Sequence, residues 1–161
     1  MEGSEHAPAV TAAMVARSRG LAAPRFSPDG RNLAWVETVA GRSDIVVVPT
    51  DGSAPPLVVT ADAPASPFGG FTWAGGELVY GAPDGRLVAV PAAGGPLRVL
   101  SSDGEAAAPS ATADGRCIAF VLERADRCDI AVVPADGSEW PVRLSTGADW
   151  ALDPIWSPHG R

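Results

Sequence analysis

Few residues in this chain could do acid–base or nucleophilic chemistry. There are two histidines, His6 and His159, and two cysteines, Cys117 and Cys128. A serine or cysteine hydrolase needs a nucleophile, a base within reach and a carboxylate that orients the base. His6 lies in an acidic stretch at the N-terminus, and His159 occupies a turn position that carries Asp29 in a related turn. Neither histidine is a persuasive base.

Motifs that activate a nucleophile or hold a phosphate are also missing. The sequence has no Gly-x-Ser-x-Gly elbow, no phosphate-binding loop and no dinucleotide-binding fingerprint. The acidic residues lie mostly in turns, where Asp serves backbone geometry, and nothing singles out a catalytic pair. The sequence therefore predicts no catalytic residue and no cofactor.

The spacing of the cysteines argues against a disulfide. If the chain turns near Asp126, Cys117 faces a residue near Ala135 and Cys128 lies at the far end of the hairpin. Seven residues of strand cover on the order of 20 Å, whereas a disulfide requires α-carbons within about 7 Å of each other. We expect two free thiols. Because no other cysteine or histidine lies nearby, we expect no metal site.

A repeated turn and strand organise the whole chain. Phe-Ser-Pro-Asp-Gly-Arg at residues 26–31 returns as Trp-Ser-Pro-His-Gly-Arg at 156–161 and, in altered form, at 111–116. A fourth copy, with two turn residues fewer, fits at Trp73. Phe26, Trp73, Ala111 and Trp156 are then 47, 38 and 45 residues apart. Spacing in this range, with short strands and turns, is typical of propeller blades.

Each repeat reads as a four-stranded antiparallel meander. Ser-Pro-Asp-Gly suits a type I turn into a strand that ends in Trp35, Tyr80 or Phe120. A third strand follows and ends at a proline, which cannot donate to the ladder, and Asp-Gly or Gly-Gly then returns the chain. We expect the aromatic residues of the repeat to form the core. Trp140 and Trp150 lie outside the repeat and are the better candidates for an exposed contact, although packing is favoured for them too.

The sequence thus predicts an all-β chain of three to three and a half blades of an incomplete propeller. We expect an N-terminal arm over residues 1–22, followed by a partial propeller over 23–161. Its blades cover about 23–67, 68–108 and 109–153, and a fourth begins at 154–161. Residues 11–20 predict a short helix, with a loosely ordered arm as the alternative. Since propellers close with about 4 to 8 blades, we expect a fragment, or an assembly closed by a second copy.

Charge and hydropathy exclude several partners. The formal net charge is −7, and all 12 basic residues are arginine, which argues against nucleic acid or an anionic membrane as a partner. No run approaches the roughly 20 apolar residues of a membrane span. The acidic N-terminal residues do not resemble a secretory signal, so the sequence favours a cytoplasmic protein.

These repeats resemble those in the N-terminal propeller of prolyl oligopeptidase family serine peptidases, and the acylaminoacyl-peptidase and dipeptidyl-peptidase branches are the most similar in style. The likeness rests on Ser-Pro-Asp-Gly-Arg at 27–31, Asp-Ile-Val-Val-Val at 44–48 and Pro-Ile-Trp-Ser-Pro at 154–158, and it extends over about residues 11–161. TolB-type propellers of the cell envelope use the same pattern of turns and strands.

The peptidase resemblance implies a non-catalytic propeller that gates peptide access to a C-terminal α/β-hydrolase domain, which this chain lacks. The expected partners are that domain and its peptide substrates, together with self-association through the open edge. The alternative is a TolB-like propeller that binds or scaffolds other proteins. In either case no catalytic residue of the peptidase family can be placed on this sequence, and the chain alone should be inactive.

Overall fold

The computed structural model of the chain describes residues 19–67, 69–145 and 150–157. These residues form twelve strands, and none of them lies in a helix. Blade 1 consists of β1 (Arg19–Phe26), β2 (Asn32–Val39), β3 (Arg42–Pro49) and β4 (Leu57–Val58). Blade 2 consists of β5 (Phe71–Ala74), β6 (Glu77–Gly81), β7 (Leu87–Pro91) and β8 (Arg98–Ser101). Blade 3 consists of β9 (Glu105–Ala111), β10 (Cys117–Arg124), β11 (Arg127–Pro134) and β12 (Val142–Arg143).

Each blade is a separate four-stranded sheet whose strands follow one another in chain order. Every pairing is antiparallel, as a meander requires. The predicted all-β architecture of incomplete propeller blades is therefore confirmed.

The turn between the first and second strands is built by the same hydrogen bonds in blades 1 and 3. The Gly30 N–H donates to the Ser27 carbonyl over 2.9 Å, and the Ser27 hydroxyl donates to the Asp29 carboxylate over 2.6 Å. Thr112 and Asp114 repeat the second bond, also over 2.6 Å. This bond from Thr112 is the main reason that the pKa of Asp114 is lowered. The turn residues are thus retained for backbone geometry, and their carboxylates are already engaged.

In blade 2, successive side chains along a strand pack alternately against blade 1 and against blade 3. Leu78 and Tyr80 pack against blade 1 in one hydrophobic cluster, whereas Val79 packs against Phe120 of blade 3 in the other. Successive residues of a strand point to opposite faces of the sheet, so the middle blade reads as a continuous apolar run. At about 25 cal/mol per Å² of buried apolar surface, these two clusters are the main source of stability.

The tryptophan at the start of a blade also forms a polar link to the blade before it. The Trp73 indole N–H donates to the carbonyl of Arg25 in β1 over 3.2 Å. Trp156 donates in the same way to the carbonyl of Ser110 in β9 over 2.9 Å. Arg25 and Ser110 hold the same place in their blades, one residue before the repeat position. The repeat tryptophan therefore fixes where two first strands meet, in addition to filling space.

The predicted aromatic core is only partly correct. Tyr80, Phe120 and Trp73 are buried, but Phe26 is 65% exposed because no described blade covers the front of blade 1. Trp140 and Trp150 are 71% and 67% exposed, so the expectation that they pack is wrong.

Two other expectations can be compared with the strands. The predicted helix falls mainly on residues 11–18, which lie outside the described residues, and its last two residues, Arg19 and Gly20, belong to β1 instead. The prediction for the cysteines is confirmed: Cys117 pairs with Pro134 at one end of the β10–β11 hairpin and Cys128 pairs with Glu123 near the other. Both thiols are free.

Blades 2 and 3 lie very close together at Gly81, and we expect this position to tolerate no side chain. A Cβ at Gly81 would lie 2.0 Å from the carbonyl oxygen of Ala106, a backbone atom of the neighbouring blade. Gly81→Ala should lower the free energy of unfolding by about 2 kcal/mol or more, because the blades must separate to admit the methyl group. Urea denaturation followed by tryptophan fluorescence measures this change.

Gly76→Ala is the matched control, because a Cβ there meets no atom within 4 Å. This variant should stay within about 0.5 kcal/mol of the parent chain. Equal midpoints for the two variants would contradict the close packing of the blades at Gly81.

Candidate functional site

The first strands of the blades share an unusual backbone feature. Three residues before the repeat position, the chain adopts a left-handed conformation in every blade, including the beginning of the fourth. The residues are Ala23 (φ 51°), Gly70 (φ 64°), Ala108 (φ 46°) and Asp153 (φ 51°). Left-handed conformations are uncommon for residues other than glycine. Because they recur at one position, these left-handed residues are a regular feature of the blade.

The kink turns the strand toward its neighbours. Pairing with the second strand shifts register between Ala22 and Arg25 in blade 1, and at the corresponding place in blade 3. In blade 3 the kink aims the Ala108 N–H at the carbonyl of Gly69 in the preceding blade, over 2.7 Å. That hydrogen bond offsets the cost of placing an alanine in this conformation, which is roughly 1–2 kcal/mol.

A recess of about 470 Å³ lies where the first strands of blades 1 and 3 meet the beginning of the fourth blade. Its walls include Arg25 of β1, Ser110 of β9, and Asp153 and Ile155 from the segment that begins the fourth blade. We call it the inner-strand recess. Ile155 is 87% exposed, the largest exposure among the large apolar side chains that the structure describes. An exposed aliphatic side chain beside an arginine and an aspartate suits contact with another polypeptide better than chemistry on a bound molecule.

Two titratable side chains of the kinds that could act as a base or nucleophile, Tyr80 and Cys128, lie in the packed interior. Tyr80 donates its hydroxyl to the carbonyl of Ala63 over 2.7 Å, and burial raises the pKa of Tyr80 to about 12. Burial likewise raises the pKa of the Cys128 thiol, which disfavours the nucleophilic thiolate. Among the described residues, no group of three or more His, Cys, Asp or Glu side chains is placed to hold a metal ion.

The expectation of no catalytic, cofactor-binding or metal-binding residue stays a prediction. Both histidines, His6 and His159, lie outside the described residues. Sequence reasoning missed the inner-strand recess, although a signal was present. A proline follows the left-handed residue in three of the four cases, at Pro24, Pro109 and Pro154, and this small motif precedes the aromatic residue at fixed spacing.

Within the described residues no helix is long and apolar enough to cross a bilayer. The expected cytoplasmic location stays a prediction.

Comparison with known proteins gives the fold a clear likeness. No family model matches the sequence, and no curated protein matches it. Among solved structures, the chain is similar to TolB from Acinetobacter baumannii, with a TM-score of 0.68, 21% sequence identity and coverage of 86% of this chain and 35% of that one. It is also similar to a protein assigned as TolB from Agrobacterium tumefaciens, with a TM-score of 0.63, 26% identity and coverage of 76% and 45%. The chain thus spans less than half the length of either structure.

These similarities correct the identification made from the sequence. The structural neighbours are TolB-like proteins, so the assignment to the prolyl oligopeptidase family, with its serine peptidase and hydrolase function, is wrong. A C-terminal hydrolase domain as the partner is likewise not supported. The mistake has a physical origin, since both kinds of propeller use the same turns and strands, which specify the fold and not the function.

The left-handed residue of blade 3 offers a direct test of the kink. Glycine adopts φ near 46° without steric cost, so Ala108→Gly should relieve strain that Ala108 carries. Ala107→Gly is the matched control one position away in the same strand, where glycine only adds flexibility and should destabilise by about 0.5–1 kcal/mol. We expect Ala108→Gly to be the more stable variant by about 1–2 kcal/mol in urea denaturation. If Ala108→Gly were the less stable of the two, the kink would not be strained.

Proposed function

We propose that this chain is part of a non-catalytic, TolB-like propeller that binds another protein at the inner-strand recess. The single observation that carries the proposal is the recess itself, where exposed Ile155 stands beside Arg25 and Asp153. An apolar contact flanked by opposite charges is the usual composition of a protein interface, with its apolar centre and polar rim. The similarity to TolB structures also supports a protein-binding propeller.

The kinks favour such a role for a mechanical reason. Ala108, which lines the recess, is held by its hydrogen bond to Gly69 of blade 2, so this part of the wall is fixed before a partner arrives. A rigid surface loses little conformational entropy on binding, which favours affinity for a given contact area.

The partner site is tested by capture with matched variants. The 161-residue chain is immobilised, the proteins it retains from a cell extract are identified by mass spectrometry, and the strongest is purified for titration. Ile155→Asp should weaken its binding at least about tenfold, because a charge replaces an exposed apolar contact at the centre of the interface. Leu57→Asp is the control, since Leu57 is also exposed but lies on the outer strand β4.

A second pair of variants tests whether the positive charge of Arg25 contributes to binding at the recess. Arg25→Glu should weaken the same partner, whereas Arg31→Glu, which makes the same change of charge on an exposed turn, should not. If both members of a pair bound the partner equally well, the recess would not be the interface.

The open ends of the stack also support self-association. Leu21 and Phe26 are exposed on blade 1, and Val142 and Leu144 are exposed on blade 3. Because the repeat uses one kind of interface between successive blades, we expect the front of blade 1 to pack against blade 3 of a second copy. Size-exclusion chromatography with light scattering should show mass that rises with concentration. A single monomeric mass up to about 100 μM would contradict this expectation.

A further inference from the structure

The three blades provide an internal standard for what the fold itself requires. Their fourth strands can be aligned by the residues they pair with in the third strands, through the pairs Val46–Val58, Val88–Val99 and Ala131–Arg143. A residue that the fold needs should recur at aligned positions. A residue that departs from the other blades requires a different explanation.

Three differences between blade 3 and the other blades introduce a large or charged side chain. Arg143 stands where the other blades have Val58 and Val99, which leaves a guanidinium in place of an aliphatic side chain. Three residues earlier, Trp140 replaces two prolines, Pro55 and Pro96. In the second strand, Arg124 takes the place that Val39 has in blade 1.

These three departures meet in one cavity. Arg124, Trp140 and Arg143 all line a cleft of about 440 Å³ between β8 of blade 2 and the outer strands of blade 3. Ser101, Leu122 and Ala131, which also line it, are themselves buried and form its base. A volume of this size is within the range of about 300–1,000 Å³ that is usual for small-ligand sites. Solvation alone does not explain why substitutions on two strands and a loop converge.

Both arginines are held in place and retain donors. Arg143 Nη1 lies 3.2 Å from a carboxylate oxygen of Asp129, whose side chain is only 2% exposed. Arg124 forms an ion pair with Asp103 at the mouth of the cleft through Nη2. Each pair engages one nitrogen, whereas a guanidinium carries five N–H donors. The ion pairs therefore orient the two guanidinium groups and leave them able to bind an anion.

We propose that this cleft binds the C-terminal residue of a protein chain, where a free carboxylate adjoins an apolar side chain. The planar carboxylate matches the guanidinium fork of Arg143, with Arg124 as the second cation. The apolar side chain lies over Leu122 and Ala131 and against the Trp140 ring, which is 71% exposed. This assignment rests on the proposed role of the chain in protein binding, and it names a second contact outside the inner-strand recess.

The test uses N-acetyl-leucyl-phenylalanine and its C-terminal amide as probes. The two molecules differ only in the charge of the last group, so their comparison isolates the carboxylate. In NMR titrations of ¹⁵N-labelled protein, the peptide acid should shift the Trp140 indole signal and the backbone N–H signals of Leu122 and Ala131. The peptide with the C-terminal amide should bind at least about tenfold more weakly than the peptide acid, because its charge-assisted hydrogen bonds to the arginines are lost.

Variants that restore the residues of the other blades keep the fold intact. Arg143→Val and Trp140→Pro recreate what blades 1 and 2 have at these positions, and each should weaken binding of the acid about tenfold or more. Arg127→Val is the matched control: Arg127 also pairs with Asp129, over 3.4 Å, but does not line the cleft. Its affinity for the acid should equal that of the parent chain.

The proposal is overturned if acid and amide bind equally, if Arg143→Val retains the parent affinity, or if the shifted signals lie at the inner-strand recess. Weaker binding in Arg127→Val would also overturn it, because Asp129 would then act only through stability. None of these variants alters Arg25 or Ile155. A failure here therefore leaves capture at the recess unaffected, and a failure of that capture leaves this titration unaffected.

Discussion

Every blade in this chain has to be covered on both faces, and this constraint determines most of the structure. A sheet with side chains on two sides exposes apolar surface unless a neighbour lies against each face. Blade 2 meets the requirement completely, with Leu78 and Tyr80 against blade 1 and Val79 against blade 3. Within the described part of the chain, blade 1 is covered on one face only, and Phe26 is exposed there.

Polar contacts then decide where the covered faces meet and how each outer strand is held. The Trp73 and Trp156 indoles link first strands of successive blades. Farther out in blade 1, Arg42 binds Asp44 over 2.8 Å and the Thr60 hydroxyl donates to the same carboxylate over 3.0 Å.

The same arrangement appears in blade 3 with Arg127, Asp129 and Ser145. In blade 2 the order of charges is reversed, so that Asp84 precedes Arg86 and the two pair over 2.7 Å. What the fold requires at this place is thus a neutral pair, whichever residue supplies the cation.

The sequence predicted the meander and its turns because these depend on local rules. Ser27, Asp29 and Gly30 form a turn by their own chemistry, and Pro49 ends β3 because it lacks an N–H. The tight hairpin at Gly75 and Gly76, read as a repeat with two residues fewer, joins Ala74 to Glu77 directly.

What sequence reasoning missed depends on contacts between blades. Nothing local to Trp140, Arg124 or Arg143 indicates that they share a cleft, since they lie on different elements brought together by two neighbouring sheets. The exposure of Phe26 depends on which neighbour is present, and the family assignment failed because turn residues carry no information about partners. The left-handed positions were within reach, because proline recurs at fixed distance before the repeat residue.

The kink in each first strand has a further consequence for how the repeat can vary. A slip of one residue in pairing would turn every side chain of the strand to the opposite face. The extra residue at the kink is fixed in a left-handed conformation and can occupy only one position in the strand. The pairing of the first strand with the second therefore cannot slip. Repeats spaced by 47, 38 and 45 residues can therefore form one continuous surface from their first strands. Length is gained or lost in the turns and connections between strands, and the surface formed by the first strands keeps its shape while the rest of the blade is free to diverge.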